Sequence, residues 1–169
     1  RFNAIQNDKG YLGCTLSHIS VLKRAKEEKW ENVLIFEDDF CSNHEADKWE
    51  AKLQDVFREV SEYDVILFSY GARSKEKYYI ECKETSVNKN ISIQTASGYL
   101  VHRQFYDHLI HNFEEGYSNL IDNPDKYSVY ALDQYWKKLQ PSSNWFHIIP
   151  SMGKQRGSFS NIENCFVDY

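Results

Sequence analysis

Two short, wholly apolar runs with an amphipathic helix between them constrain the fold of this chain most strongly. Residues 33–36 and 65–68 each have the composition of a central strand that is covered on both faces. Residues 45–61 carry one apolar stripe at helical spacing, formed by Trp49, Leu53, Val56, Phe57 and Val60. Strand, helix and strand at this spacing make a βαβ unit, which predicts a mostly parallel, Rossmann-like sheet flanked by helices.

The remaining segments fit the same α/β class. Periodicity and apolar runs predict further helices at 11–29, 103–113 and 127–138, and further strands at 78–82, 91–95, 99–102 and 145–149. The tail from Ser151 is rich in Gly, Ser and Asn without periodicity, which predicts a loop held by contacts. We find no internal repeat or linker in the sequence, so residues 1–169 are predicted to form a single domain.

Composition excludes several classes of protein. Hydrophobic residues make up 41% of the chain and charged residues 27%, which is typical of a folded globular protein and not of a disordered one. The net charge is -5, and the densest basic stretch, residues 23–26, is followed at once by Glu27 and Glu28. This pattern indicates the solvated face of a helix, so binding to a nucleic-acid backbone is not expected.

Cysteine spacing and hydropathy bear on the compartment. The cysteines are widely spaced and form no Cys-x-x-Cys pair, which argues against a structural zinc site and a dense disulfide framework; they are Cys14, Cys41, Cys82 and Cys165. No run is long and apolar enough to span a membrane, and no signal-peptide pattern opens the chain. A cytoplasmic location is therefore expected. The sequon at residues 90–92 would matter only if a removed segment had sent the chain to a secretory lumen.

Three consecutive acids, Glu37, Asp38 and Asp39, follow the first apolar run. Ligands of open α/β sheets bind outside the carboxyl ends of the strands, which is where these acids lie. Alternation along a strand lets Glu37 and Asp39 share one side while Asp38 points away, and oxygen ligands of this kind suit Mg²⁺ or Mn²⁺. A solvated loop that caps the next helix is the simpler alternative. Phosphatases and nucleases also carry acid clusters after a strand.

Two longer segments resemble the signature of glycosyltransferase family 25. They are Gly10-Tyr11-Leu12-Gly13-Cys14-Thr15-Leu16-Ser17-His18 and Val33-Leu34-Ile35-Phe36-Glu37-Asp38-Asp39. The family shows a Gly-x-x-Gly-Cys-x-x-Ser-His helix start and then an apolar strand that ends in Glu-Asp-Asp. Further matches follow the family's order at residues 1–4, 96–101, 131–133, 153–155 and 158–162. The family includes lipopolysaccharide galactosyltransferases and collagen hydroxylysine galactosyltransferases.

The resemblance implies a fold of the GT-A type and a hexosyltransferase. Such an enzyme moves galactose or glucose from a UDP-sugar to a hydroxyl of a glycan or of a hydroxylysine-type acceptor, with Mn²⁺ or Mg²⁺ as cofactor. Carried over to this sequence, Asp39 is the metal ligand, Asp38 is a second contributor and Glu37 faces the ribose of the donor. A bridging cation would neutralise the charge that develops on the leaving nucleoside diphosphate.

The resemblance also suggests inversion at the anomeric carbon, which requires a base for the proton of the acceptor hydroxyl. Asp133 is predicted to be this catalytic base, because it matches the acid of a later helix in the family. The alternative is a surface acid that pairs with Lys137 one turn later, an interaction worth only a few tenths of a kcal/mol.

Five further residues complete the predicted site. Ser17 and His18 belong to the matched helix start and would contact the donor, or else serve as ordinary polar residues of the helix. His147, at the end of a predicted strand, would complete the metal coordination, or else be a half-buried strand histidine. Gln155 and Ser158 lie in the tail and would contact the donor if the tail folds over it as a lid.

One expected element of the family is missing from the sequence. Family members begin with an apolar strand that holds the nucleotide base, and residues 1–7 are too short and polar to replace it. The leading hypothesis is a metal-dependent UDP-sugar glycosyltransferase. A non-catalytic relative that binds carbohydrate or protein in the same cleft is the alternative, and a metal-dependent phosphohydrolase is the third hypothesis.

Overall fold

The two apolar runs of the sequence both enter a mixed sheet that has helices on both faces. Residues 65–68 contribute a central, fully buried strand, as predicted. Residues 33–36 instead lie in a strand at the edge of the sheet, where Leu34 and Phe36 are each 43% exposed, so the prediction that this run is central and covered on both faces is wrong. The computed structural model describes residues 1–69, 79–81, 86–89, 92–160 and 165–167, with side chains at 1–69 and 92–157. The helices are α1 (Gly10–Glu27), α2 (Ala46–Glu59), α3 (Tyr106–Asp122), α4 (Tyr127–Tyr130) and α5 (Leu132–Tyr135). The strands are β1 (Asn32–Phe36), β2 (Phe40–Ser42), β3 (Val65–Leu67), β4 (Tyr79–Glu81), β5 (Ser86–Lys89), β6 (Gly98–His102), β7 (Trp145–Ile149), β8 (Gly153–Gln155), β9 (Ser158–Ser160) and β10 (Cys165–Val167).

The sheet is mostly antiparallel, so the prediction of a mostly parallel sheet is wrong. Its strands lie in the order β1-β6-β3-β7-β5-β4, and β3 with β7 is the one parallel pair among these neighbours. Because β1 and β3 are both antiparallel to β6, they run in the same direction, as the βαβ unit predicts. The strand β6 lies between them, and its apolar sequence carries no signal of its direction.

Each face of the sheet buries its own hydrophobic core. On one face, α1 and α3 pack over Val33, Val65 and Trp145, and Trp145 meets Trp136 edge to face at 5.0 Å. On the other face, α2 packs its apolar stripe over Ile66, Phe68 and neighbouring side chains. Burying one such aliphatic or aromatic side chain stabilises a fold by about 1.5–3 kcal/mol, so the two faces fix the sheet firmly.

The tail after β7 contains strands, which corrects the prediction of a loop from Ser151. The strand β8 pairs antiparallel with β2, a strand that the sequence did not reveal. The Phe40 ring of β2 fills the space above Gly98 and Gly153, where an added Cβ would lie 2.6 Å and 2.2 Å from its atoms. This β2–β8 ribbon therefore brings the tail back to the segment that follows β1.

Two other predicted elements differ from the structure. The predicted helix at 127–138 is interrupted at Ala131, whose ψ of 148° separates α4 from α5, and residues 136–138 form a 3₁₀ turn. The predicted strand at 91–95 is absent from its described part, because Ser92 and Thr95 have positive φ values of 71° and 89°. Ile91 and Asn90 of the sequon lie outside the described residues.

Two further features bear on the predictions about location. No helix in the described ranges is long and apolar enough to cross a membrane. Among the residues with described side chains, Cys14 and Cys41 are free cysteines, while Cys82 and the side chain of Cys165 lie outside the described part of the chain.

Candidate functional site

The three acids after β1 enter different surroundings. The β1 strand ends at Phe36, and the Glu37 amide still bonds to the Ser97 carbonyl, so Glu37 extends the line of the strand. Asp38 is exposed, whereas the side chains of Glu37 and Asp39 are partly buried. The alternation expected from strand geometry thus separates Asp38 from its two neighbours.

Glu37 meets two side chains of α1. Its Oε1 lies 3.1 Å from His18 Nε2 and 3.5 Å from the Cys14 thiol, which donates to it. His18 Nδ1 lies 2.6 Å from the Tyr99 hydroxyl, and the two rings stack at 5.6 Å. One arrangement satisfies all partners: the Tyr99 hydroxyl donates to Nδ1, and Nε2–H donates to Glu37.

Charge and burial shift the pKa values of this group in different directions. Burial alone would raise the pKa of Glu37, but the hydrogen bond and charge of His18, with the Cys14 thiol, bring it below its ordinary 4.5. Burial raises the pKa of Cys14 well above its usual range, and Glu37, then Asp133 and Asp39, raise it further. Acids thus surround the thiol on several sides.

The two carboxylate oxygens of Asp39 differ, because one accepts a hydrogen bond and the other has no partner among the described residues. Its Oδ2 accepts from Gln155 Nε2 at 2.7 Å, and its carbonyl accepts from the Arg156 amide at 2.7 Å. Its Oδ1 is shielded from solvent and has no hydrogen-bond partner among the described residues. Burial raises the pKa of Asp39, and the charges of Glu37 and Asp38 add to the shift, although Gln155 opposes it. An acceptor with no donor, beside other acids, is a place that a cation would stabilise.

Asp133 opens α5 and faces a strained turn. Its Oδ2 accepts from the Thr95 amide at 3.0 Å, and Oδ1 accepts from Gln134 Nε2 at 3.3 Å. Burial raises the pKa of Asp133, the bonds from Thr95 and Gln134 and the charge of Lys137 lower it, and Glu37 adds a smaller upward shift. Asp133 is therefore close enough to Glu37, one of the acids after β1, for the charge of Glu37 to affect its pKa.

Side-chain hydrogen bonds support the turn that carries Thr95. A β-branched residue at a φ of 89° is strained and needs support from its surroundings. The buried Gln140 side chain supplies it by bonding both the amide and the carbonyl of Ile93 at 2.7 Å. Trp136 Nε1 bonds the same carbonyl at 3.0 Å. These contacts fix the Thr95 amide against Asp133.

The structure brings some of the predicted residues together. His18 contacts Glu37, and Gln155 contacts Asp39, so the helix start and the tail both reach the acids. Ser17 instead donates to the Gly13 carbonyl at 2.7 Å and accepts from the Ile5 amide at 2.8 Å, which occupies its hydroxyl. The side chain of Ser158 lies outside the described residues.

His147 lies apart from the acids in the sheet. It is buried on β7, which is separated from β1 by β6 and β3, and burial lowers its pKa to about 4. Among the described residues, the ligand-type atoms that gather within 4.8 Å of one another belong to Cys14, His18 and Glu37. Asp38, Asp39 and His147 do not form such a group there. The role of His147 as a metal ligand stays a prediction.

Sequence reasoning missed the contributions of Cys14, Tyr99 and Thr95. The signal for Cys14 was available, because Cys14 and His18 are four residues apart on a helix and therefore share a face. Tyr99 lies in the predicted strand at 99–102 and is fully buried, but its hydroxyl also contacts His18. The strained conformation of Thr95 leaves no mark in the sequence.

A cavity among the described residues lies away from the acids. It measures about 380 Å³ and lies at the amino end of β1, lined mainly by polar side chains that include Glu31, Asn32 and His102. The acids lie at the opposite end of the same strand. We place the candidate site at the acids, because the unpaired carboxylate oxygen and the shifted pKa values occur there.

Comparison with models of known protein families gives a match. A family model described as glycosyltransferase family 25 (LPS biosynthesis protein) matches residues 8–136. This range includes α1, the acids after β1, and Asp133. No curated protein matches the chain significantly.

Proposed function

The chain belongs to glycosyltransferase family 25, and from this membership we propose that it transfers a hexose from a UDP-sugar to an acceptor hydroxyl. Membership itself implies glycosyltransferase activity. The hexose is galactose or glucose, and the acceptor is a glycan or a hydroxylysine-type side chain. The proposal includes Mn²⁺ or Mg²⁺ as cofactor and inversion at the anomeric carbon. A GT-A type of architecture, which is also proposed, is supported by the acids that follow β1 in a β1–α2–β3 unit.

The unpaired Oδ1 of Asp39 carries this proposal. A buried carboxylate oxygen without a donor is unfavourable unless a cation or a ligand supplies the missing contact. Asp38 and Glu37 are close enough to raise the pKa of Asp39, so negative charge accumulates there. Carboxylate oxygens in an acidic surrounding suit a hard divalent cation. Asp39 and Asp38 would hold this cation, which when bound neutralises the diphosphate leaving group.

The neighbouring residues would orient the donor. Gln155 holds Asp39 Oδ2, while the buried Oδ1 has no hydrogen-bond partner among the described residues. Glu37 is 23% exposed and ionised, so it can accept hydrogen bonds from ribose hydroxyls while His18 fixes its position. Ser17 has its hydroxyl bonded within the chain, which gives it a structural part in the proposed site.

Asp133 would serve as the base. In an inverting displacement, the acceptor oxygen attacks the anomeric carbon, the bond from that carbon to the diphosphate oxygen breaks, and the acceptor proton passes to a carboxylate. Burial keeps the pKa of Asp133 above its ordinary value, which makes it a better proton acceptor than an exposed aspartate. The Thr95 amide holds Oδ2 in place for this role.

A calorimetric titration of UDP into the purified chain tests the donor site. With Mn²⁺ present we expect binding, and we expect it to disappear with EDTA and in Asp39→Ala. Asp125→Ala is the matched control, since Asp125 is an exposed acid away from β1. If UDP does not bind under any of these conditions, the proposed donor site is wrong, and a non-catalytic relative becomes the better explanation. Release of inorganic phosphate from a phosphate ester would instead support a phosphohydrolase.

A further inference from the structure

We propose that Cys14, His18 and Glu37 form a binding site for a thiophilic divalent cation, with Zn²⁺ as the expected ion. This site is separate in chemistry from the Asp39 position and does not depend on the proposed sugar transfer. It follows from the side chains that two elements, α1 and the segment after β1, bring together.

The spacing of the ligands along α1 favours chelation. Residues four apart on a helix lie one above the other on the same face, so Cys14 and His18 present sulfur and nitrogen in one direction. Glu37 approaches that face from the end of β1 and supplies a carboxylate oxygen. The three ligand atoms lie within 4.8 Å of one another.

The distances are already close to those of a zinc centre. From bond lengths of about 2.0–2.3 Å, ligand atoms around tetrahedral zinc lie roughly 3.3–3.8 Å apart. Here Glu37 Oε1 lies 3.5 Å from Cys14 Sγ and 3.1 Å from His18 Nε2. Only small side-chain movements are therefore needed to enclose the ion. Glu37 is 23% exposed, so the ligand group has a partly exposed carboxylate on one side.

A second layer of contacts holds the histidine for this role. The Tyr99 hydroxyl lies 2.6 Å from Nδ1, the Tyr99 ring stacks on the imidazole, and Phe113 meets it edge to face at 6.5 Å. Ligand histidines generally have their other ring nitrogen engaged in this way. On binding, Zn²⁺ would replace the thiol proton of Cys14, and that proton would be released to solvent. The His18 proton would shift from Nε2 to Nδ1, and Nδ1–H would then donate a hydrogen bond to the Tyr99 oxygen.

The chemistry of the three ligand atoms decides which ion is preferred. Thiolate and imidazole select Zn²⁺ over Mg²⁺ or Mn²⁺, which prefer oxygen ligands. The acids around Cys14 favour any cation electrostatically, whereas the sulfur gives the preference for a thiophilic one. The pattern is a Cys-x-x-x-His pair completed by a distant acid, and therefore differs from the Cys-x-x-Cys pairs of structural zinc modules.

Cobalt titration of the metal-free chain tests the site directly, since Co²⁺ reports thiolate ligation through charge-transfer absorption. We expect a one-to-one complex with this absorption, its loss on adding Zn²⁺, and no effect of Mn²⁺. Cys14→Ser should lose the absorption, and Cys41→Ser, the matched control at a partly buried free cysteine, should keep it. Equal spectra for the unaltered chain and Cys14→Ser would overturn the proposal.

A measurement on the unaltered chain removes any dependence on how the variants fold. Alkylation of each cysteine is followed by mass spectrometry with and without one equivalent of Zn²⁺. We expect Zn²⁺ to slow the reaction of Cys14 by about tenfold or more, because a coordinated thiolate is a weaker nucleophile. Cys41 should react at the same rate in both conditions. Unchanged alkylation of Cys14 would mean that the three side chains form only a hydrogen-bonded group.

Discussion

The two aspartates of the candidate site have carboxylates that are less acidic than usual, because burial and neighbouring acids oppose their ionisation. A carboxylate whose pKa is raised by the fold destabilises the protein at neutral pH, where it is ionised, unless a bound ligand compensates its charge. Such a cost is common at functional sites, where charge is arranged for a ligand and not for stability. At the scale of single residues, we therefore expect substitutions of these aspartates to change the stability of the protein measurably.

Asp39→Asn should stabilise the metal-free protein at neutral pH. The folded-state pKa of Asp39 is above its ordinary 3.8, so the folded state holds this proton to higher pH than the unfolded chain does. Stability therefore decreases as pH rises through the folded pKa, and the asparagine variant escapes this loss. We expect a gain below about 1 kcal/mol, because Asp39 is partly exposed and solvent screens its charge.

Urea unfolding between pH 3 and pH 8 measures this gain. It should vanish as the pH falls below about 3.8, where both forms are uncharged at this position. Asp47→Asn is the control with the opposite sign, because Asp47 lies in the first turn of α2 and interacts favourably with the helix dipole. A loss of stability at pH 7 in Asp39→Asn would show that its contact with Gln155 outweighs the charge effect.

Asp133→Asn should lower kcat for sugar transfer by about 10²–10⁴-fold with little change in KM for the donor. The asparagine can still accept from the Thr95 amide but cannot take a proton, so the position is kept while the base is lost. UDP release in the presence of an acceptor measures the rate. The control is Asp122→Asn, an exposed acid at the end of α3, which should retain activity. Equal rates in the two variants would exclude Asp133 as the base.

Individual residues of the site were predictable to different degrees. Glu37 and Asp39 stood out as two of three consecutive acids at the end of an apolar strand, and the family resemblance, not the acids alone, assigned them to a donor and metal site. His18 and Gln155 were named through the family resemblance, and the structure places each in contact with an acid. Tyr99 and Thr95 were not predictable as site residues, because their contributions depend on hydrogen bonds and a backbone conformation that only the folded chain creates.

At the scale of elements, the close approach between β2 and the sheet is the most demanding contact. Gly98 on β6 leaves room for the Phe40 ring, and a Cβ there would come within 2.6 Å of it. Phe40 also packs against Phe36 at 4.5 Å and Trp49 at 6.0 Å, so it has little freedom to move away. The position of the acids at residues 37–39, between β1 and β2, depends on this packing.

Gly98→Ala should therefore destabilise the protein by about 1–3 kcal/mol, the usual cost of overpacking. Phe40→Leu replaces the ring that clashes with the added Cβ by a smaller side chain. The Gly98→Ala/Phe40→Leu double variant should therefore be more stable than the sum of the two single effects predicts. Urea unfolding of the four proteins closes this double-mutant cycle. Strict additivity would mean that Phe40 moves aside without cost and that β2 is held by other contacts.

The presence of the helices and strands was easier to predict than the direction in which each strand enters the sheet. The helix α1, the strands β1, β3 and β7, and the helix α2 all form close to where the apolar patterns place them. The antiparallel position of β6 between β1 and β3 was missed, because its mainly apolar sequence fits either strand direction. The strands β2 and β8 were missed because each has only three residues, too few for a strand pattern, and their pairing joins segments distant in sequence.

At the scale of the whole molecule, the two proposed cation positions have different chemistry and lie next to each other. Oxygen ligands at Asp38 and Asp39 suit Mn²⁺ or Mg²⁺, while Cys14 and His18 suit Zn²⁺. Glu37 is shared, since it is proposed to face the donor ribose and to complete the zinc site. If both proposals hold, a Glu37 carboxylate bound to zinc is removed from the donor, and the two ligands must be coupled.

Zn²⁺ should accordingly weaken the binding of UDP with Mn²⁺ by at least about tenfold, a coupling of about 1.4 kcal/mol, and UDP should weaken Zn²⁺ binding by the same factor. Calorimetric titration of UDP at a fixed Mn²⁺ concentration, with and without Zn²⁺, measures one direction, and cobalt spectroscopy with and without UDP measures the other. In Cys14→Ser the antagonism should disappear while UDP still binds, because Glu37 remains available to the donor. If Zn²⁺ weakens UDP binding equally in Cys14→Ser, it acts by replacing Mn²⁺ at Asp39, and Glu37 does not link the two positions.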